Sequence, residues 1–95
     1  MAQPLQNNIP AIRAFFDQLA GHWDATVSPR HGERLERILQ RLPIAAGERV
    51  LDVGCGTGIL FPMLAKRVGE TGCIVSVDLS HAMMLKTRIR IAGVV

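Results

Sequence analysis

The chain has 95 residues, 48% of them hydrophobic, and carries 11 Lys and Arg against 8 Asp and Glu, a net charge of +3. That length allows one domain at most, and the apolar content excludes a disordered chain and suffices for a packed core. No stretch reaches the roughly 18–20 apolar residues of a membrane span, and Met1 to Asn8 lack the basic region and apolar core of a secretory signal, so a cytoplasmic location is expected.

Asn8 to about Trp23 reads as a first helix with Pro10 near its start. Ser28-Pro29 pairs an N-cap with a proline at the first helical position, opening a second helix that Pro43 closes. Leu35, Ile38, Leu39 and Leu42 form its apolar face. Arg30, Arg34, Arg37 and Arg41 recur along the same helix with Glu33 and Glu36 interleaved, and Lys86, Arg88 and Arg90 alternate near the C-terminus. With no aromatic or basic cluster beside them, these charges read as solvated faces, and no nucleic-acid partner is expected. Ala46-Gly47-Glu48 turns into a first strand ending Val50-Leu51-Asp52-Val53. Ile59 to Val68 has helical apolar spacing, with Gly69 as its C-cap and Pro62 tolerable only in the first turn. Cys73 to Asp78 is a β-branched strand ending in an acid, and Ser80 caps a last helix to about Arg90. Gly93-Val94-Val95 offers the start of a third strand.

The informative segment is Val50 to Gly58, an apolar strand running into Gly54-Cys55-Gly56-Thr57-Gly58. A sharp turn that also lets a ligand touch its peptide groups needs positions without Cβ. Between a strand and a helix, this pattern marks a nucleotide-type cofactor site at the strand's C-terminal edge. The dinucleotide fingerprint G-x-G-x-x-G/A fails because Ile59 stands where its third glycine belongs, and the P-loop fails because Ile59 and Leu60 replace Gly and Lys. Asp78 lies twenty residues beyond Gly58, at the end of the second strand, where a ribose hydroxyl pair is read.

The D-x-G-x-G-x-G string of Asp52, Gly54, Gly56 and Gly58 closely resembles motif I of class I S-adenosylmethionine-dependent methyltransferases. Asp78-Leu79-Ser80-His81-Ala82-Met83-Met84 resembles the D-x-S-x-x-M-[LM] string of the ubiquinone and menaquinone biosynthesis group. Phe16-Asp17 to Trp23-Asp24 is similar to the F-D-x-x-A-x-x-W-D element that precedes the sheet in many such enzymes. The resemblance spans Phe16 to Met84. It implies an α/β, Rossmann-like methyltransferase fold, here two helices at about 8–42 followed by a βαβα unit at about 48–95. It also implies S-adenosylmethionine as cofactor and, from the second string, a small-molecule methyl acceptor.

The expected cofactor-binding residues are Asp52, Gly54, Cys55, Gly56, Gly58, Asp78, Leu79 and Met83. The glycines admit the methionyl part of the cofactor, with amides of the following helix facing its carboxylate. By resemblance Asp52 orients the loop and meets the ammonium, while Asp78 accepts the ribose hydroxyls. Leu79 and Met83 either touch the adenine or belong to the core. Cys55 reads as a small packing residue, Thr57 as a helix cap, and Phe16 and Trp23 as core residues or a lid. Neither Cys55 nor Cys73 has metal-ligand spacing, and none of His22, His31 and His81 has an acid or nucleophile that sequence pairs with it. No catalytic residue is assigned.

A class I sheet has seven strands, whereas two are legible here. The chain is therefore expected to be the N-terminal part of a larger enzyme or a truncated product, with a self-sufficient minimal domain as the alternative. A truncated or accessory, non-catalytic role is the competing function, with a second copy or a partner chain covering the incomplete sheet.

Overall fold

The computed structural model describes residues 8–93. Helix α1 (Ile9–Leu19) runs through a 3-10 turn (Ala20–His22) into the short α2 (Trp23–Thr26), and α3 (His31–Gln40) follows. Strand β1 (Arg49–Val53), helix α4 (Phe61–Val68), strand β2 (Cys73–Val77) and helix α5 (His81–Ala92) complete the order. The expected α/β organisation is present, with β1 and β2 parallel and in register from Arg49↔Cys73 to Val53↔Val77. The strand suggested at Gly93-Val94-Val95 lies mostly outside the described residues.

Local chemistry accounts for most boundaries. Pro10 and Pro62 both fall in the first turn of their helices, where an amide has no intrahelical acceptor to lose. Gly69 ends α4 at φ 65° and donates its amide to the Ala65 carbonyl, a conformation glycine adopts without a Cβ clash. The Ser80 hydroxyl accepts the Met83 amide at 3.1 Å and caps α5. Arg67, in the last turn of α4, donates instead to the carbonyls of Leu42 at 2.8 Å and Ile44 at 3.4 Å. It thereby ties the α3–β1 connection to α4.

One expectation for α3 is corrected. The helix opens at His31, not at Pro29. Ser28 makes a local turn: its hydroxyl accepts the Arg30 amide at 3.2 Å and its carbonyl the His31 amide at 2.9 Å, the competition with helix that serine side chains offer. Of the four apolar positions only Leu39 is buried; Leu35 is half-buried, and Ile38 and Leu42 are exposed. Leu39 shares a cleft with Pro62 and Met63 of α4.

The sheet shows the period-2 alternation of a strand with one covered face. Val50, Asp52, Ile74 and Ser76 turn inward, whereas Leu51, Val53, Val75 and Val77 are 64%, 72%, 50% and 40% exposed. Helix α4 packs on β2, α5 packs on α4 and α1, and the 3-10 turn packs on α5. Ala20, Leu64, Val68 and Met83 are the buried apolar centre of this layer. No described helix is long and apolar enough to cross a membrane.

Candidate functional site

The glycine turn leaves β1 at its C-terminal end and is pinned to β2, since Gly54 and Cys55 both donate their amides to the Val77 carbonyl at 2.8 and 3.0 Å. Gly54, Gly56 and Gly58 have φ of 72°, 59° and 83°, where an L side chain is strained. Their surroundings differ. A Cβ added at Gly54 or Gly56 would meet open space, whereas at Gly58 it would come within 3.1 Å of the Thr87 side chain and 3.2 Å of its Cα. Gly54 and Gly56 thus keep a surface open, and Gly58 lets the turn press against α5.

Asp78 sits across from that open surface. One carboxylate oxygen accepts the Gly56 amide at 2.8 Å and the other accepts the Ser80 amide at 2.8 Å. The side chain therefore holds the glycine turn and the β2–α5 turn in one geometry. A carboxylate offers about four acceptor positions, so each oxygen retains capacity for another donor.

Asp52 is buried on the inward face of β1, directly opposite Ser76. Its Oδ2 and the Ser76 hydroxyl have no hydrogen-bond partner among the described residues. Burial pushes the Asp52 carboxyl above the usual range, and the neighbouring Asp78 charge adds to the shift. A buried acceptor without a donor is costly, and a cation brought to this carboxylate would reverse both effects.

Two cavities flank the turn. One, of about 270 Å³, is lined by Gly54, Gly56, Asp78, Leu79 and Met83 under Ile12, Phe16 and Trp23. The other, of about 220 Å³, includes Asp52, Gly54, Cys55, Gly56 and Thr57 together with Trp23 and His31. Met83 is both core and lining, being 1% exposed, whereas Leu79 is exposed at the cavity rim. Gly54, Gly56 and Trp23 border both cavities, and the Phe16 and Trp23 rings meet edge-on at 6.0 Å. Seven of the eight expected residues line one or other of these two cavities, and Gly58 lines neither.

Cys55 is buried, with Sγ 3.5 Å from both the Thr87 hydroxyl and the Met84 sulfur. Burial raises its thiol above the ordinary value, so the neutral form packs. Thr57 does not cap α4. Its hydroxyl donates to Asp24 at 2.6 Å, 33 residues earlier in the chain. Asp17, Asp24, Thr87 and Arg90 contribute the site's long-range bonds, and nothing in their local sequence pairs them. The only signal was the repeated aromatic-acid dipeptide, Phe16-Asp17 and Trp23-Asp24.

Residues 12–93 match the family described as protein-L-isoaspartate(D-aspartate) O-methyltransferase. The chain is 41% identical over 73 residues to nocamycin O-methyltransferase of Saccharothrix syringae, covering 76% of this chain and 26% of that protein. It is 32% identical over 94 residues to a ubiquinone/menaquinone biosynthesis C-methyltransferase of Hydrogenovibrio crunogenus, covering 95% of this chain and 37% of the relative. A solved structure, a SAM-dependent methyltransferase from Aquifex aeolicus, superposes with a TM-score of 0.61 at 27% identity, over 85% of this chain and 40% of that one. The chain thus spans well under half the length of these proteins.

Proposed function

The chain belongs to the class I S-adenosylmethionine-dependent methyltransferases, and we propose that residues 8–93 form a single unit that binds this cofactor across the glycine turn. The observation that carries the reading is the open ridge at Gly54 and Gly56, which borders both cavities between one acid and another. Asp78 accepts the ribose hydroxyls, with Leu79 and Met83 against the adenine and Phe16 and Trp23 above it. Asp52, whose Oδ2 lacks a donor, takes the ammonium. The backbone from Gly56 into α4, with Cys55 packed beneath it, receives the amino-acid carboxylate. Gly58 supports the ridge from α5.

When bound, the cofactor supplies a methyl group already activated on a sulfonium. This chain's residues are left to position it and exclude water, and none is assigned a proton transfer. The acceptor is a small molecule, as the names of the nocamycin and ubiquinone/menaquinone relatives suggest, although the matched family is named for a protein substrate. The setting is cytoplasmic. Calorimetric titration with S-adenosylmethionine and S-adenosylhomocysteine should give saturable heat, and no heat at millimolar ligand contradicts the reading. Transfer of labelled methyl from S-adenosylmethionine into the small-molecule or the protein fraction of a cell extract then separates the acceptor classes.

The exposed apolar face of Leu51, Val53, Val75 and Val77 favours a second reading. The chain binds cofactor but completes a catalytic site only against a second copy or another polypeptide. Light scattering across a concentration series distinguishes a self-associating chain from one that needs a different partner.

A further inference from the structure

The segment above the larger of the two cavities repeats one device. In Phe16-Asp17 and again in Trp23-Asp24 the ring lines the cavity, while the acid turns to bond the body of the protein. The two anchors differ. Asp17 accepts the Ser80 hydroxyl at 2.5 Å and the Ala82 amide at 3.1 Å at the start of α5, where Ser80 is fully buried. Arg13 adds a bond from its Nε to the Leu79 carbonyl at 3.3 Å. This end of the segment is fastened at three points on one turn.

Asp24 is held by a ring of three residues. Its Oδ1 accepts the Thr57 hydroxyl at 2.6 Å, its Oδ2 accepts Arg90 Nη2 at 2.8 Å, and Arg90 Nε donates to the Thr57 carbonyl at 2.9 Å. The ring joins α2 directly to the glycine turn and to the end of α5. The Asp24 side chain is 54% exposed and that of Arg90 is 33% exposed, so water and salt compete for this ion pair. Between the two anchors lie the 3-10 turn and exposed Gly21, around which nothing comes within 4 Å of an added Cβ.

We infer that Asp24, Thr57 and Arg90 form a latch that holds Trp23 over the glycine turn and governs how fast the cofactor enters and leaves. The Asp17 end is the fixed side and the Asp24 end is the releasable one. Release swings Trp23 away from both cavities, and because Thr57 belongs to the turn itself, closure also braces the backbone on which the ligand lies. Asp24 and Arg90 are positioning residues in this account. The ligand part rests on the proposed cofactor reading; the latch itself does not.

Trp23 is the only tryptophan, so its fluorescence reports the latch directly. In the ligand-free protein, Arg90→Gln and Asp24→Asn should each increase acrylamide quenching of Trp23 at least twofold. The double variant should go no further than the larger single change, as expected for one shared element. Arg90→Lys, which keeps the ion pair but loses the fork to the Thr57 carbonyl, should fall between. Arg88→Gln, one exposed charge away, should match the wild type. In stopped flow with S-adenosylhomocysteine, the dissociation rate should rise at least fivefold in both single variants. That of the wild type alone should climb between 10 mM and 1 M salt (about 30 Å to 3 Å of screening). Unchanged quenching with circular dichroism showing a folded protein overturns the latch. Unchanged dissociation rates, or additive effects in the double variant, overturn its role in exchange. A wild type that binds no ligand while the quenching pattern holds removes the cofactor reading and leaves the latch standing.

Discussion

Replacing Asp78 separates its two tasks. Its carboxylate accepts the Gly56 and Ser80 amides, each at 2.8 Å, and is proposed to accept the ribose hydroxyls as well. A hydrogen bond to a charged group contributes about 1.5–3 kcal/mol, so losing even one ribose bond weakens binding about 10- to 150-fold. Asp78→Ala removes the backbone bonds too and should lower the melting temperature by several degrees, since about 1 kcal/mol moves a domain of this size roughly 4–8 °C. Asp78→Asn is the cleaner perturbation. Its carbonyl oxygen still serves one of the two amides, and the amide nitrogen replaces an acceptor with a donor. The assay is calorimetry with S-adenosylhomocysteine and its 2′-deoxy analogue on wild type and Asp78→Asn. The wild type should lose at least tenfold affinity for the deoxy compound, and the variant should bind both with similarly reduced affinity. If Asp78→Asn discriminates the two ligands as strongly as the wild type, Asp78 does not read the ribose and its role is confined to bracing the turn.

Asp52 sets a pH dependence. Its folded-state carboxyl is raised by burial and by Asp78, so stability is greater below the ordinary carboxylate range near about 3.9 and declines as pH rises through the raised value. Asp52→Asn should therefore melt higher than wild type at pH 7 and alike at pH 3. Because an ammonium favours the ionised acid, wild-type affinity for S-adenosylmethionine should rise over the same window, and Asp52→Asn should flatten that slope. Asp17 has the opposite sign: bonds from Ser80 and Ala82 hold it below the usual range. Its contribution is complete above about pH 3.9 and lost as pH falls through the lowered value, which Asp17→Asn should abolish in acid melts. Gly58→Ala forces a Cβ against Thr87 at φ 83° and should destabilise by about 1–3 kcal/mol, read as a fall in melting temperature. Gly54→Ala meets no neighbour, so cofactor affinity should fall more there than packing alone predicts.

The glycine turn, both strands, the Pro62 start and Gly69 stop of α4 and the Ser80 cap were legible because each depends on a few adjacent residues. Glycine spacing and β-branched runs encode such features locally. The division of labour among the glycines was not legible, since only the approach of Thr87 distinguishes Gly58 from Gly54 and Gly56. The cap that the sequence suggests at Thr57 does not form for the same reason: its partner, Asp24, is remote in sequence. On α3 the apolar spacing of Ile38 and Leu42 named a face, but the periodicity carries no information about how wide a neighbour meets it.

Cofactor binding along Gly54 and Gly56 underlies every role proposed for the site. Amide-resolved NMR of the labelled protein titrated with S-adenosylhomocysteine tests this most directly. Saturable shifts concentrated at Gly54, Gly56, Asp78, Leu79 and the Trp23 indole, with the exposed Arg34, Arg37 and Ile38 of α3 unaffected, are the predicted result. Shifts absent at millimolar ligand, or centred on another surface, contradict it.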